Sequence, residues 1–185
     1  HHVKNLAKFL TKKKIKFIHI REPGGNINSE KIRKLILDNK STFNKNTDLL
    51  LYLSARSENI QFIKKNYGKK IILIDRFIDS TVAYQHYGMG INIKIIKLIN
   101  DFLLKDIIVN FTFLNIVNPE NMKKRLFNRK KLNRYDQFNS AFYKRAQDGF
   151  LKILKKNPKK YMKIDSNLNI TDNENKILNK IKELI

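Results

Sequence analysis

The sequence predicts an α/β fold, a mainly parallel sheet covered by helices on both faces. Short runs of Ile and Leu alternate along the whole chain with longer stretches of helical periodicity, the order of elements that such folds require. One run, residues 70–74, is four Ile or Leu side chains behind a single lysine, which suits a strand buried on both faces. The composition agrees: 42% of the 185 residues are hydrophobic and only 6 are Gly and 3 Pro, so collagenous, disordered and low-complexity classes are excluded and one ordinary domain spanning 1–185 is expected.

The elements follow in order. Val3, Leu6, Ala7 and Leu10 stand at i, i+3, i+4 and i+7 and open the chain in a helix. Residues 16–20 alternate into a strand that breaks at Pro23-Gly24-Gly25, and a short helix is expected over 29–38. A long helix covers 47–66, with Leu49, Leu50, Leu53, Ile60 and Ile63 on its apolar side and Gly68 ending it. After the strand at 70–74, helical stretches begin at Ser80 and at Ile91, separated by Gly88-Met89-Gly90. The longest strand is expected at 107–117, and Asn118-Pro119 then supplies an N-cap and a proline at the first helical position. Residues 123–136 are basic and poor in apolar side chains, which predicts a loop between helices. A helix over 138–154, a strand over 161–164 and a final helix to Ile185, with a capping box of Thr171 and Glu174, complete the chain.

Charge narrows the partners. Lys and Arg number 39 against 16 acidic residues, a net charge of +23, so phosphate-bearing ligands are expected. Only eight of the 39 are arginine, in a chain also crowded with Ile and Asn, a mixture that reads as a background bias in residue usage. Where lysine is the ordinary positive filler, each arginine marks a place where the fork of a guanidinium matters. With no Cys there is no disulfide, thiolate metal site or cysteine nucleophile. No leader and no membrane span is found, so a cytoplasmic protein is expected.

In open α/β sheets ligands bind beyond the carboxyl ends of the strands. Two strand ends here carry paired charges: Arg21-Glu22-Pro23-Gly24-Gly25 after the first, and Asp75-Arg76-Phe77-Ile78-Asp79-Ser80-Thr81 after the second. An Asp in such a place can hold hydrated Mg²⁺, and an adjacent Arg can grip a phosphate through two N–H groups.

REPGG at 21–25, LLYLSAR at 50–56, DRFIDSTVAYQ at 75–85 and NRKKLNRYDQ at 128–137 together resemble the bacterial thymidylate kinases, in the same order and spacing. The resemblance covers essentially the whole chain and implies a P-loop kinase-like fold that moves the γ-phosphoryl group of ATP to dTMP with Mg²⁺. It implies that Tyr52 stands where the family uses a Phe to stack on thymine, that Arg56 is an acceptor-site arginine, and that Arg76 grips the monophosphate. Asp75 would lie near Mg²⁺ and the phosphates. Ser80 and Thr81 would lie near the base, though either also suits a helix N-cap; Tyr84 would crowd the 2′ position of the sugar and Gln85 would sit beside it. Arg33 would add a phosphate contact, with Arg21 and Glu22 flanking it, and Arg21 is also a candidate partner for Glu22 or Asp75.

The basic stretch 123–136 resembles the family's lid over ATP, with Arg125, Arg129, Lys130, Lys131 and Arg134. A lid arginine there meets the transferring phosphoryl group; Arg129 is the first candidate and Arg134 the second. Asn133 replaces the family's Asp. The G-x-x-x-x-G-K-[ST] phosphate loop of the family does not occur in these 185 residues. The resemblance therefore implies that the first strand and this loop lie upstream of His1, and that the chain on its own would turn over little. A homodimer is also implied, with no nucleic acid or membrane partner. Alternative readings are a kinase of the same fold with another nucleotide or nucleoside substrate, an inactive relative, or a basic nucleic-acid module, which lacks any supporting signature.

Overall fold

The computed structural model describes residues 2–185. Its elements run α1 (His2–Lys12), β1 (Phe17–Arg21), α2 (Ile27–Leu37), α3 (Lys45–Asn66), β2 (Ile71–Asp75), α4 (Ile78–Thr81), a π-helix (Val82–Gly88), α5 (Ile93–Leu104), β3 (Thr112–Ile116), α6 (Pro119–Phe127), a 3₁₀ turn (Arg134–Gln137), α7 (Ser140–Lys156), a second 3₁₀ turn (Pro158–Lys160), β4 (Tyr161–Asp165) and α8 (Ile170–Leu184).

All strand pairing is parallel, in two ladders: β1 with β2 and β3 with β4. Both are lined on one side by the same core, in which Leu6 and Leu10 of α1 meet Ile164, Ile177 and Ile181, with Phe17, Ile71, Leu73, Phe113 and Met162 packed against them. The strand period of two sends Ile18, Ile72 and Ile74 to the opposite face, against Ile60 and Ile63 of α3 and Leu104 of α5. Covering on both faces is therefore real for the β1–β2 ladder.

Several boundaries move. The strand expected over 107–117 shortens to Thr112–Ile116, the five residues that find partners on β4. Upstream of it the backbone turns away: the Ile107 N–H donates to the Leu104 carbonyl and the Ile108 N–H to the Tyr67 hydroxyl. The basic stretch 123–136 is not loop throughout, because α6 continues to Phe127. Thr171 does not cap α8; Asn169 does, its side chain accepting the Thr171 N–H at 2.7 Å.

Asparagine is the general device. Asn26, Asn44, Asn92, Asn118, Asn139 and Asn169 each N-cap a helix through the side-chain oxygen, and Asn133 caps the first 3₁₀ turn. The asparagine surplus that reads as background bias therefore does structural work at nearly every helix start.

Candidate active site

The two predicted strand ends lie side by side. Arg21 and Asp75 are register partners at the carboxyl ends of β1 and β2, and the Glu22 N–H donates to the Asp75 carbonyl at 2.9 Å. The chain then turns sharply through a cis Glu22–Pro23 bond and two glycines with φ of +118° and +110°. Gly25 has to be glycine: besides its left-handed backbone, a Cβ there would come within 2.9 Å of Ile20 and 3.1 Å of the Asn59 side chain. Glu30 closes the turn, accepting from the Gly25 N–H and from Arg21, both at 3.0 Å. Partial burial raises the Glu30 carboxyl, but the Gly25 N–H and the Arg21 guanidinium outweigh it and hold the group below its ordinary value. Arg21 thus pairs with Glu30, neither with Glu22 nor with Asp75.

Glu22 instead turns inward to Arg56. The guanidinium of Arg56, 2% exposed, donates to Glu22 at 2.9 Å, to Asn100 at 2.7 Å and to the Thr81 hydroxyl at 3.0 Å, and it lies over the Phe77 ring. Asn59 completes this floor, bonding the Gly24 carbonyl at 2.7 Å. Burial pushes the Glu22 carboxyl up, opposed by the charge and hydrogen bonds of Arg56. Thr81 is neither solvent-facing nor an N-cap: Phe77 occupies the cap of α4 without a side-chain bond, and the Thr81 hydroxyl serves Arg56. Ser80 caps nothing either and remains half-buried beside it.

Above this floor the other predicted arginines converge. Arg33 donates to the Pro23 carbonyl at 2.8 Å, and burial first, then the neighbouring charges of Arg21 and Arg76, lower its pKa. Arg76 sits in a left-handed conformation with φ +63°, open to solvent, its guanidinium 5.2 Å from the centre of the Tyr84 ring. Proximity to Tyr84 stabilises its charged form further. Tyr52 faces the same cluster, and burial pushes its hydroxyl up to about 12. Arg33 lies within electrostatic range of both Arg21 and Arg76, beside the Tyr52 and Tyr84 rings, an arrangement that can receive an anion attached to a flat group. The exposed Asp75 carboxylate makes no hydrogen bond or ion pair among the described residues. A single free carboxylate suits Mg²⁺, which keeps several waters and takes its remaining ligands from phosphate; no group of three or more His, Cys, Asp or Glu converges among the described residues.

Tyr84 and Gln85 lie on the π-helix, a rare geometry that recurs at functional sites. Gln85 is fully buried, its Nε2 donating to the Tyr135 hydroxyl at 2.9 Å and more weakly to Asp48 at 3.4 Å. Tyr135 in turn donates to Asp48, whose other oxygen pairs with Arg134. Arg134, the second candidate for the lid arginine, is thus engaged within the protein. Its Nε also donates to the Ile36 carbonyl and its plane lies near Phe43 and Tyr135, so a buried acid and an aromatic wall clamp it in place.

The rest of the basic stretch is open. Arg129 pairs with Asp136 at 2.5 Å, and Asp136 is itself fixed by the N–H and side-chain amide of Asn133. Arg125 reaches the Ser166 carbonyl at 2.6 Å, across an open cleft of about 510 Å³ between α6 and the loop after β4. Lys130 and Lys131 are exposed.

Sequence reasoning passed over Asp48, Asn59, Asn100 and Tyr135, and left Arg145 without a role. Arg145 donates twice to the Gly88 carbonyl, tying α7 to the end of the π-helix. A signal existed for Asp48: it is an acid beside the apolar side of a helix in a chain where acids are outnumbered more than two to one.

The family model described as thymidylate kinase matches residues 1–177. A thymidylate kinase of Staphylococcus epidermidis is 34% identical, aligned over 84% of this chain and 77% of its own length. One of Mycoplasma capricolum is 36% identical over 91% of this chain and 83% of its own. A crystal structure of thymidylate kinase from Ehrlichia chaffeensis superposes with a TM-score of 0.78 at 30% identity, covering 98% of this chain and 89% of that one. Fold, site and sequence agree: the chain belongs to the thymidylate kinase family.

Proposed function

We propose that this protein transfers the γ-phosphoryl group of ATP to dTMP, giving dTDP, as a single kinase-like domain with a basic lid. The carrying observation is the convergence of Arg21, Arg33 and Arg76 next to the rings of Tyr52 and Tyr84. Like charges brought together this closely are stabilised by an anion between them, and a monophosphate joined to a planar base meets both halves of the site.

In this reading Arg76 and Arg33 hold the dTMP phosphate, Tyr52 stacks on thymine and Tyr84 limits room at the 2′ position of the sugar. Ser80 lies at the base end, while Glu22, Thr81 and Arg56 are the floor that fixes these groups. An oxygen of the dTMP phosphate attacks the γ-phosphorus as its bond to ADP breaks, and charge gathers on the peripheral oxygens. Arg129 supplies countercharge there, oriented by Asp136. Such an arginine is worth about 10³ or more in rate. Mg²⁺, held through Asp75, would neutralise charge on the ATP phosphates when bound. Arg125, beside the cleft between α6 and the loop after β4, is placed to serve ATP.

A homodimer is part of the proposal, supported by Ile95, Leu98 and Phe102, which form an exposed apolar stripe at i, i+3 and i+7 of α5 with Leu98 and Phe102 70% and 71% exposed. No described helix is long and apolar enough to cross a membrane; the cytoplasm, where both nucleotides are found, is the proposed location. Calorimetric titration with dTMP tests the acceptor site directly. Binding with a Kd below about 1 mM, weakened by removing the 5′-phosphate, supports the reading. Equal binding of thymidine would turn it toward a nucleoside kinase, and no binding would reject it.

A further inference from the structure

We propose that Asp48 and Tyr135 are positioning residues that set the nucleobase preference, by deciding which end of the Gln85 amide is left free. The inference rests on the dTMP site proposed above and concerns Asp48, outside the quoted motifs, and Tyr135, inside the 128–137 segment but given no role there.

Proton inventory carries it. Asp48 accepts from Arg134 on one oxygen and from the Tyr135 hydroxyl on the other. A hydroxyl that gives its only proton to a carboxylate can do nothing more than accept. Tyr135 therefore presents lone pairs to the Gln85 amide at 2.9 Å. The Asp48 carboxylate, 3.4 Å from the same amide, also requires a donor. Both neighbours demand the NH₂ end of Gln85, so its orientation follows from chemistry and not from the labelling of two similar atoms.

The consequence is the carbonyl end. Gln85 Oε1 is wholly buried and has no hydrogen-bond partner among the described residues. Buried carbonyls are rarely left without a donor. The missing donor belongs to the ligand, because Gln85 sits on the π-helix next to Tyr84, whose ring packs against Tyr135 and against Arg76. Among pyrimidine edges thymine offers an N3–H donor, whereas cytosine has a lone pair at N3 and would face the Gln85 carbonyl acceptor to acceptor. The dyad of Asp48 and Tyr135 thus selects thymine over cytosine without touching either.

The test is the ratio of dissociation constants for dCMP and dTMP, measured by calorimetry on the wild-type chain and on Tyr135→Phe, Asp48→Asn and Asp48→Glu. A merely structural role weakens both ligands together and leaves the ratio alone. The expected result is a fall in the ratio of about tenfold or more in Asp48→Asn, and in Tyr135→Phe, where only the weaker 3.4 Å contact to Asp48 still holds the amide. Asp48→Glu, which keeps an acceptor-only carboxylate, retains the dTMP preference. Tyr135→Phe keeps the ring and decides the matter alone if Asp48→Asn does not fold. A folded Tyr135→Phe with the wild-type ratio would overturn the inference while leaving the dTMP site standing. Failure of the wild-type chain to bind dTMP would instead overturn the functional reading and this inference with it.

Discussion

The floor under the acceptor site and the basic stretch over it are built by opposite rules. In the floor, Arg56, Asp48, Asn59 and Gln85 are buried, and each is held by two or more polar partners from different elements. In the basic stretch, α6 buries no residue at all, Phe127 is 91% exposed, and Arg125 and Arg129 each hold a single partner. The groups of the floor are enclosed, whereas Arg125 and Arg129 are left on the surface, where an ion pair costs little to exchange with water.

Breaking the floor should have the largest effect. Arg56→Met leaves the Glu22 carboxyl buried without its partner and should reduce unfolding free energy by about 3–5 kcal/mol in chemical denaturation; a loss under about 1 kcal/mol would show that the floor is not rigid. The lid side should respond in rate and not in stability. Arg129→Ala should lower phosphoryl transfer by about 10³ while dTMP affinity and melting temperature stay near wild type. Arg76 belongs to neither extreme, since it is open to solvent yet is proposed to meet the ligand. Its change to Ala should weaken dTMP binding by about 2–3 kcal/mol, the range of charge-assisted hydrogen bonds, with little change in stability.

A smaller effect sharpens the contrast through pH. Burial raises the Tyr52 hydroxyl from 10.0 to about 12, so between those values the unfolded chain has released a proton that the folded chain retains. Stability therefore falls as pH rises through that window. Tyr52→Phe should remove part of that slope in alkaline denaturation. The smallest change is expected for Lys130→Ala and Lys131→Ala, within about 0.5 kcal/mol of wild-type stability, because both are exposed.

Much of this was legible in the sequence because the strand runs and strand-end motifs are local. The scarcity of arginine beside lysine draws attention to Arg21, Arg33 and Arg76, and the fold brings Arg33 within electrostatic range of the other two. Arg56 and Arg134 show where locality ends: both belong to the motifs, but what they touch depends on Asn100, 44 residues away, and Asp48, 86 residues away. No spacing rule anticipates such partners. The parallel sheet is legible from the strand runs, but its division into two ladders is not, since strand pairing depends on tertiary position and not on the composition of each run. Thr171 and Glu174 fit a capping box in sequence, but Asn169, two residues earlier, starts the helix, its side chain accepting the Thr171 N–H.

The contact between α7 and the π-helix sets a mechanical limit. Gly149 lets the Tyr87 ring press where a Cβ would come within 2.5 Å, and Gly88 does the same for Phe142 from the other side. Two reciprocal seats of this kind act as detents: neither helix can slide or roll along the other without lifting a ring out of its seat. Arg145 adds a third fastening at the same place. With Arg134 and Tyr135 clamped to Asp48 as well, any displacement of Arg129, Lys130 and Lys131 has to be absorbed before residue 134, ahead of the fixed post that α7 provides.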